Sequence, residues 1–168
     1  MSPSLSTLVP IAVSSAILVA GVVDDLRSRK FHNWLFLTCA AIAVIAVVVM
    51  NGPAGMLMGL LGFAAGFALL TPLVLMRVIG AGDMKLLAAF GIVAGWEAVL
   101  TVSIAALLWG AVFGLVRTML RGEIKTLASN MFSIAVLKER QGLTLQTMPF
   151  TVAILMGWLT HLVITGVL

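Results

Sequence analysis

"WLFLTCAAIAVIAVVVMNGPAGMLMGLLGFAAGFALLTPLVLM", residues 34 to 76, carries no charged residue and is interrupted once, by the breaker cluster "NGPAG" at 51 to 55. Each half approaches the roughly twenty apolar residues that carry a helix across a hydrocarbon core of about 30 Å. A cluster of Gly, Pro and Asn between them reads as a tight turn. The stretch therefore predicts two helices joined by a short loop, inside a membrane.

The rest of the chain repeats the pattern. Apolar stretches fall at about 7 to 23, 34 to 50, 55 to 76, 84 to 95, 98 to 116 and 149 to 168, and "GWE" at 95 to 97 reads as a second tight turn. The 168 residues are 62% hydrophobic and 10% charged, with a mean hydropathy of +1.21, against about a quarter charged in soluble domains. In lipid the backbone must satisfy its own hydrogen bonds, and no alternating pattern supports a barrel. The expected fold is all-α: a polytopic membrane bundle of about six transmembrane helices, forming one domain over residues 1 to 168. The first stretch lacks the basic start of a cleaved signal peptide, so it reads as a retained helix. A single cysteine, Cys39, excludes an internal disulfide and a Cys-rich metal site.

Charge placement gives an orientation. With the N-terminus outside, Arg27, Arg29, Lys30, Arg77, Lys85, Arg117, Arg121, Lys125, Lys138 and Arg140 all fall on the cytoplasmic side, as the positive-inside rule requires. The net charge of +4 is then topology and not a nucleic-acid footprint. The segment 117 to 148 mixes charges with apolar residues and reads as an interfacial cytoplasmic helix or a plain connector. Glycines four apart (Gly55 and Gly59, Gly62 and Gly66, Gly91 and Gly95, Gly110 and Gly114) predict close helix packing within the bundle.

Three of the six acidic residues, Asp24, Asp25 and Asp83, stand at span boundaries on the cytoplasmic side. An ionised carboxylate at membrane depth needs a partner, a proton or water. The stretch from Met84 to Gly95 spans only about 18 Å as a helix, so either the bilayer thins there or the "GAGD" segment dips below the surface, and Asp83 is expected within the inner leaflet. Gly80 and Gly82 allow the unusual backbone angles and close approach such a loop needs. Adjacent helical residues diverge by about 100°, so one of Asp24 and Asp25 faces the same cavity as Asp83. Two carboxylates sharing one proton are the chemistry of an aspartic peptidase. The same residues also fit a proton relay or transporter, and helix-end capping explains Asp24 or Asp25 without any function.

Three segments, "DLRSRKFHNW" (25 to 34), "GAGDMK" (80 to 85) and "MPFTVAILMG" (148 to 157), together resemble the type IV prepilin peptidase family of membrane aspartic peptidases. The resemblance implies Asp25 and Asp83 as the catalytic pair, with Asp25 preferred over Asp24 because Asn33 stands at the matching distance after it. It further implies an active-site loop of Gly80, Gly82 and Lys85, supporting roles for Asp24 and Asn33, and no metal or cofactor. Phe31 and His32 depart from the family's usual Ile and Pro. The cysteine-paired region of longer, N-methylating members is missing between Asp25 and Asn33, so the chain is similar to the peptidase-only branch of tight-adherence (Flp) pili. The implied partners are a Flp-type prepilin and membrane lipid, in the bacterial inner membrane. Lys85 either snorkels to the interface or tunes Asp83; His161 carries no functional argument.

Overall fold

A computed structural model describes residues 5–28, 31–120 and 150–167. Most of the segment expected to lie on the membrane surface, 121 to 148, falls outside them. Among the described residues the chain is all-helical: α1 (Leu5–Ser28), α2 (Asn33–Leu75), α3 (Ala81–Leu120) and α4 (Phe150–Ile164). Three of these are long and apolar enough to cross a membrane, and α4 is a shorter apolar helix. The protein is a membrane protein.

The two long helices are each broken once. Gly52 (φ 66°, ψ −168°) divides α2 and Gly95 (φ 83°, ψ 166°) divides α3, both in conformations that side-chain-bearing residues rarely adopt. The chain folds back at each. The rings of Phe36 and Phe63 lie 6.5 Å apart, whereas an unbroken helix would separate them by about 40 Å. Likewise a Cβ on Gly91 would stand 2.8 Å from a methyl of Val99. The turns expected at "NGPAG" and "GWE" are where the breaks occur.

Helix contact runs through small residues. The second half of α2 packs antiparallel on the first half of α3, Gly59 against Ile92, Gly62 against Gly91 and Gly66 against Ala88, so closely that a Cβ on Gly62 would overlap the Gly91 carbonyl. Between apolar helices in lipid, this backbone approach and its dispersion contacts replace the hydrophobic drive available in water. On the other side, α4 lays Gly157 against Val102 and Ala106, while α1 places Gly21 over Leu86. The result puts the first half of α3 at the centre: Leu86, Leu87, Ala88, Ala89 and Phe90 are all fully buried. Phe90 meets Trp158 edge-on at 5.1 Å, and Cys39 is a buried core residue as its position suggested.

Polar ties fix α4. The indole N–H of Trp158 donates to Ser15 Oγ on α1 at 2.9 Å, and that of Trp109 on α3 donates to Thr160 Oγ1 at 3.0 Å. His161 stacks on Trp158 with ring centroids 5.4 Å apart.

The connection from α2 to α3 contains a strained residue. Arg77 closes α2 with φ 58°, its N–H donating to Val74 O at 2.9 Å and the N–H of Val78 to Leu73 O at 2.9 Å. This is a Schellman ending, a position usually held by glycine. Arg77→Gly removes a left-handed non-glycine residue that costs about 1 kcal/mol. The expected result is a gain of roughly that size in detergent unfolding, and a loss would show that the arginine side chain offsets the strain.

Candidate active site

The site forms where α1 ends, α3 begins and α4 begins. Because α1 runs antiparallel to the first half of α3 and to α4, Asp25, Asp83 and Thr151 come to one end of the bundle. Arg27, Arg77, Lys85 and Arg117, at helix ends or connections, belong to that same end, and Glu97 follows the Gly95 break at the other.

Asp83 lies in the first turn of α3 and is 8% exposed. The Gly80 N–H donates to its Oδ2 at 3.2 Å, and its own N–H donates to Gly80 O at 3.2 Å. A carboxylate that reaches back to the residue opening the helix satisfies an orphan donor and sits at the favourable end of the helix dipole. This explains how the fold tolerates a buried acid, but not why the acid has acidic company. Asp25 and the backbone N–H of Thr151 are both near enough to act on the Asp83 carboxyl. The Thr151 hydroxyl donates to Asp25 Oδ2 at 2.8 Å.

The neighbouring aspartate turns elsewhere. Asp24 accepts the backbone N–H of His32 at 3.0 Å, and the His32 Nδ1 lies 3.0 Å from its Oδ1. His32 precedes α2 and offers no side-chain cap; Asp24 thus ties the α1–α2 connection to the end of α1. The 100° divergence of adjacent helical residues separates one aspartate facing Asp83 from one facing the connection.

Lys85 makes a contact that the sequence did not show. Its Nζ donates to Asn33 Oδ1 at 2.7 Å, linking the start of α2 to the start of α3. The expectation for the glycines is corrected in part. The segment from Ala81 is helical, not a dipping loop, so the helix reaching Gly95 starts three residues earlier than hydropathy placed it. Gly80 and Gly82 do not share the positive φ of Gly52 and Gly95. Gly82 matters for space, because a Cβ there would stand 2.8 Å from the Cβ of Phe31. Phe31 cannot swing its Cβ away by changing rotamer. Gly82→Ala should therefore push the α1–α2 connection off α3 and cost about 1 to 3 kcal/mol, read as a lower unfolding midpoint in detergent; an unchanged midpoint would show that the connection yields freely.

Thr151 is the residue the sequence reading passed over. It stood inside the quoted "MPFTVAILMG", but hydropathy assigns it only to a span, and nothing local shows that its hydroxyl meets a residue 126 positions away. Among the described residues no three metal-ligating side chains come together.

Comparison with known families places the chain. The model of the type IV leader peptidase family matches residues 12–115, more than half of the chain and including both Asp25 and Asp83. The chain belongs to the type IV leader peptidase family, which implies a leader peptidase's hydrolytic function. No curated protein and no solved structure gave a significant match.

Proposed function

We propose that the protein is an aspartic endopeptidase of the bacterial inner membrane, which removes the leader peptide of Flp-type prepilins at the cytoplasmic face. The observation that carries this reading is the meeting of Asp25 and Asp83, from different helices, at the end of the bundle that gathers the basic residues. In this topology α1, the two halves of α2, the two halves of α3 and α4 make six crossings, with the N-terminus outside, as one domain over residues 1 to 168. Membrane lipid surrounds the bundle.

In the proposed reaction the pair holds one proton. The ionised aspartate takes a proton from water as the water oxygen bonds to the scissile carbonyl carbon. The protonated aspartate hydrogen-bonds the carbonyl oxygen and stabilises the developing oxyanion. Collapse of the tetrahedral intermediate breaks the C–N bond, and the leaving amine receives a proton from the pair. Gly82 keeps the start of α3 close to Phe31, the Gly80 N–H holds Asp83, Lys85 and Asn33 brace the helix start, and Asp24 fixes the adjoining connection.

Leader removal from a Flp-type prepilin by purified protein in detergent tests the proposal. Wild type is expected to cleave, Asp25→Asn and Asp83→Asn to fail, and Asp24→Asn to retain most activity. Full cleavage by both of the first two variants would refute the mechanism. Abolition by Asp24→Asn alone would move the pair by one residue.

A further inference from the structure

The two-aspartate reading names which groups react, but not what sets their separation. Thr151 is 1% exposed and stands in the first turn of α4. The other described threonines with a placed hydroxyl, Thr38, Thr71, Thr101, Thr118, Thr160 and, just past the end of α4, Thr165, all donate to the carbonyl four residues back. That is the default for a helical threonine. Thr151 instead donates across the bundle to Asp25 Oδ2 at 2.8 Å, while its backbone N–H, one of the donors a helix start leaves without an internal partner, lies near enough to act on Asp83.

One residue therefore addresses both carboxylates, and its helix is fastened. The Trp158–Ser15 and Trp109–Thr160 hydrogen bonds tie α4 to α1 and α3, and the contact of Gly157 with Val102 and Ala106 limits its approach. A site is held to productive geometry by groups whose own positions are locked.

Resting on the two-aspartate reading, we propose that Thr151 is a positioning residue: its hydroxyl orients Asp25 and its backbone N–H orients Asp83, so the first turn of α4 sets the spacing of the catalytic pair.

The test compares Thr151→Val, which loses the hydroxyl at nearly constant volume, with Thr151→Ser, which keeps it. Thr151→Val is expected to lower kcat about 10- to 100-fold, the usual range for a lost orienting partner, with KM within about twofold. Thr151→Ser is expected to recover kcat to within about threefold of wild type. Unchanged kcat in Thr151→Val, a serine variant as slow as the valine one, or a rise confined to KM would each overturn the proposal. Should Thr151→Val not fold, Thr151→Ala provides the same comparison.

A second readout stands apart from turnover. The carboxyl signal of Asp25 in protein labelled with 13C at aspartate, assigned by its loss in Asp25→Asn, is expected to move in Thr151→Val and return in Thr151→Ser. A signal that stays in place overturns the positioning role even where cleavage itself fails. A signal that moves in a protein unable to cleave leaves the contact standing and refutes the two-aspartate reading instead.

Discussion

Asp83→Asn should abolish leader removal, lowering kcat by about 10³-fold or more, while leaving the protein at least as resistant to unfolding as wild type. The loss follows from proton chemistry: an amide of the same shape neither takes a proton from water nor delivers one to a leaving amine. Losing one member of a catalytic unit costs most of what the unit supplies. The retained stability follows from the site. Asp83 is 8% exposed, with Asp25 close enough to act on it electrostatically. A neutral side chain removes that like-charge repulsion and the cost of burying a charge. The amide oxygen still accepts the Gly80 N–H that Asp83 now accepts at 3.2 Å. Cleavage assays and detergent unfolding on the same preparation separate the two effects. A variant that loses activity and stability together would mark Asp83 as a cap for α3, not as a reacting group.

The second large effect lies away from the chemistry. Gly62→Ala should destabilise the protein by about 3 kcal/mol or more, at the upper end of overpacking costs, and so lower the unfolding midpoint by roughly 6 to 12 °C. The added methyl meets the backbone carbonyl of Gly91, which cannot rotate away as a side chain can. The control is Gly114→Ala. Among the described residues no atom of a neighbouring segment comes within 4 Å of a Cβ there, so the gain in helix propensity, about 0.5 to 1 kcal/mol, is the main term and the midpoint should hold or rise. If Gly62→Ala were as mild as Gly114→Ala, the close approach of α2 and α3 would be wrong.

These two glycines also show where the sequence stops being readable. Both belong to four-residue glycine spacings, and spacing carries no label for the face that meets a neighbour. Helices and their breaks were legible because they depend on local composition: apolar length in lipid for the one, Asn-Gly-Pro and Gly-Trp-Glu for the other. The start of α3 was less so, because hydropathy penalises Asp83 and hides a helix that Asp83 itself helps to begin. Gly80 and Gly82 were read as residues of unusual backbone and close approach; the backbone is helical from Ala81, and the close approach is that of Phe31 to Gly82. The divergence of Asp24 from Asp25 followed from helix geometry, but the attachment of Asp24 to His32 and of Lys85 to Asn33 required the tertiary fold. Thr151 was the least visible, since an uncharged hydroxyl in an apolar run announces nothing about a partner on another helix.

The fold-back of α2 at Gly52 has a bearing on how the protein is made. From Asn33 to Leu75 the helix contains no charged side chain, and its tip presents Asn51 beside Gly52 and Pro53. In the proposed topology that tip must travel to the far side of the bilayer during synthesis, and with no charge to carry it meets little of the several-kcal/mol barrier that a lysine or aspartate would impose. Both arms can therefore enter together as a preformed hairpin, without one arm waiting for the other to be threaded. The α3 hairpin, whose turn is followed at once by Glu97, has a charged group to convey and a central position to reach. Biogenesis by this route would seat the uncharged pair in the lipid first and offer it as the surface on which Gly91, Ala88 and the rest of the buried helix come to lie.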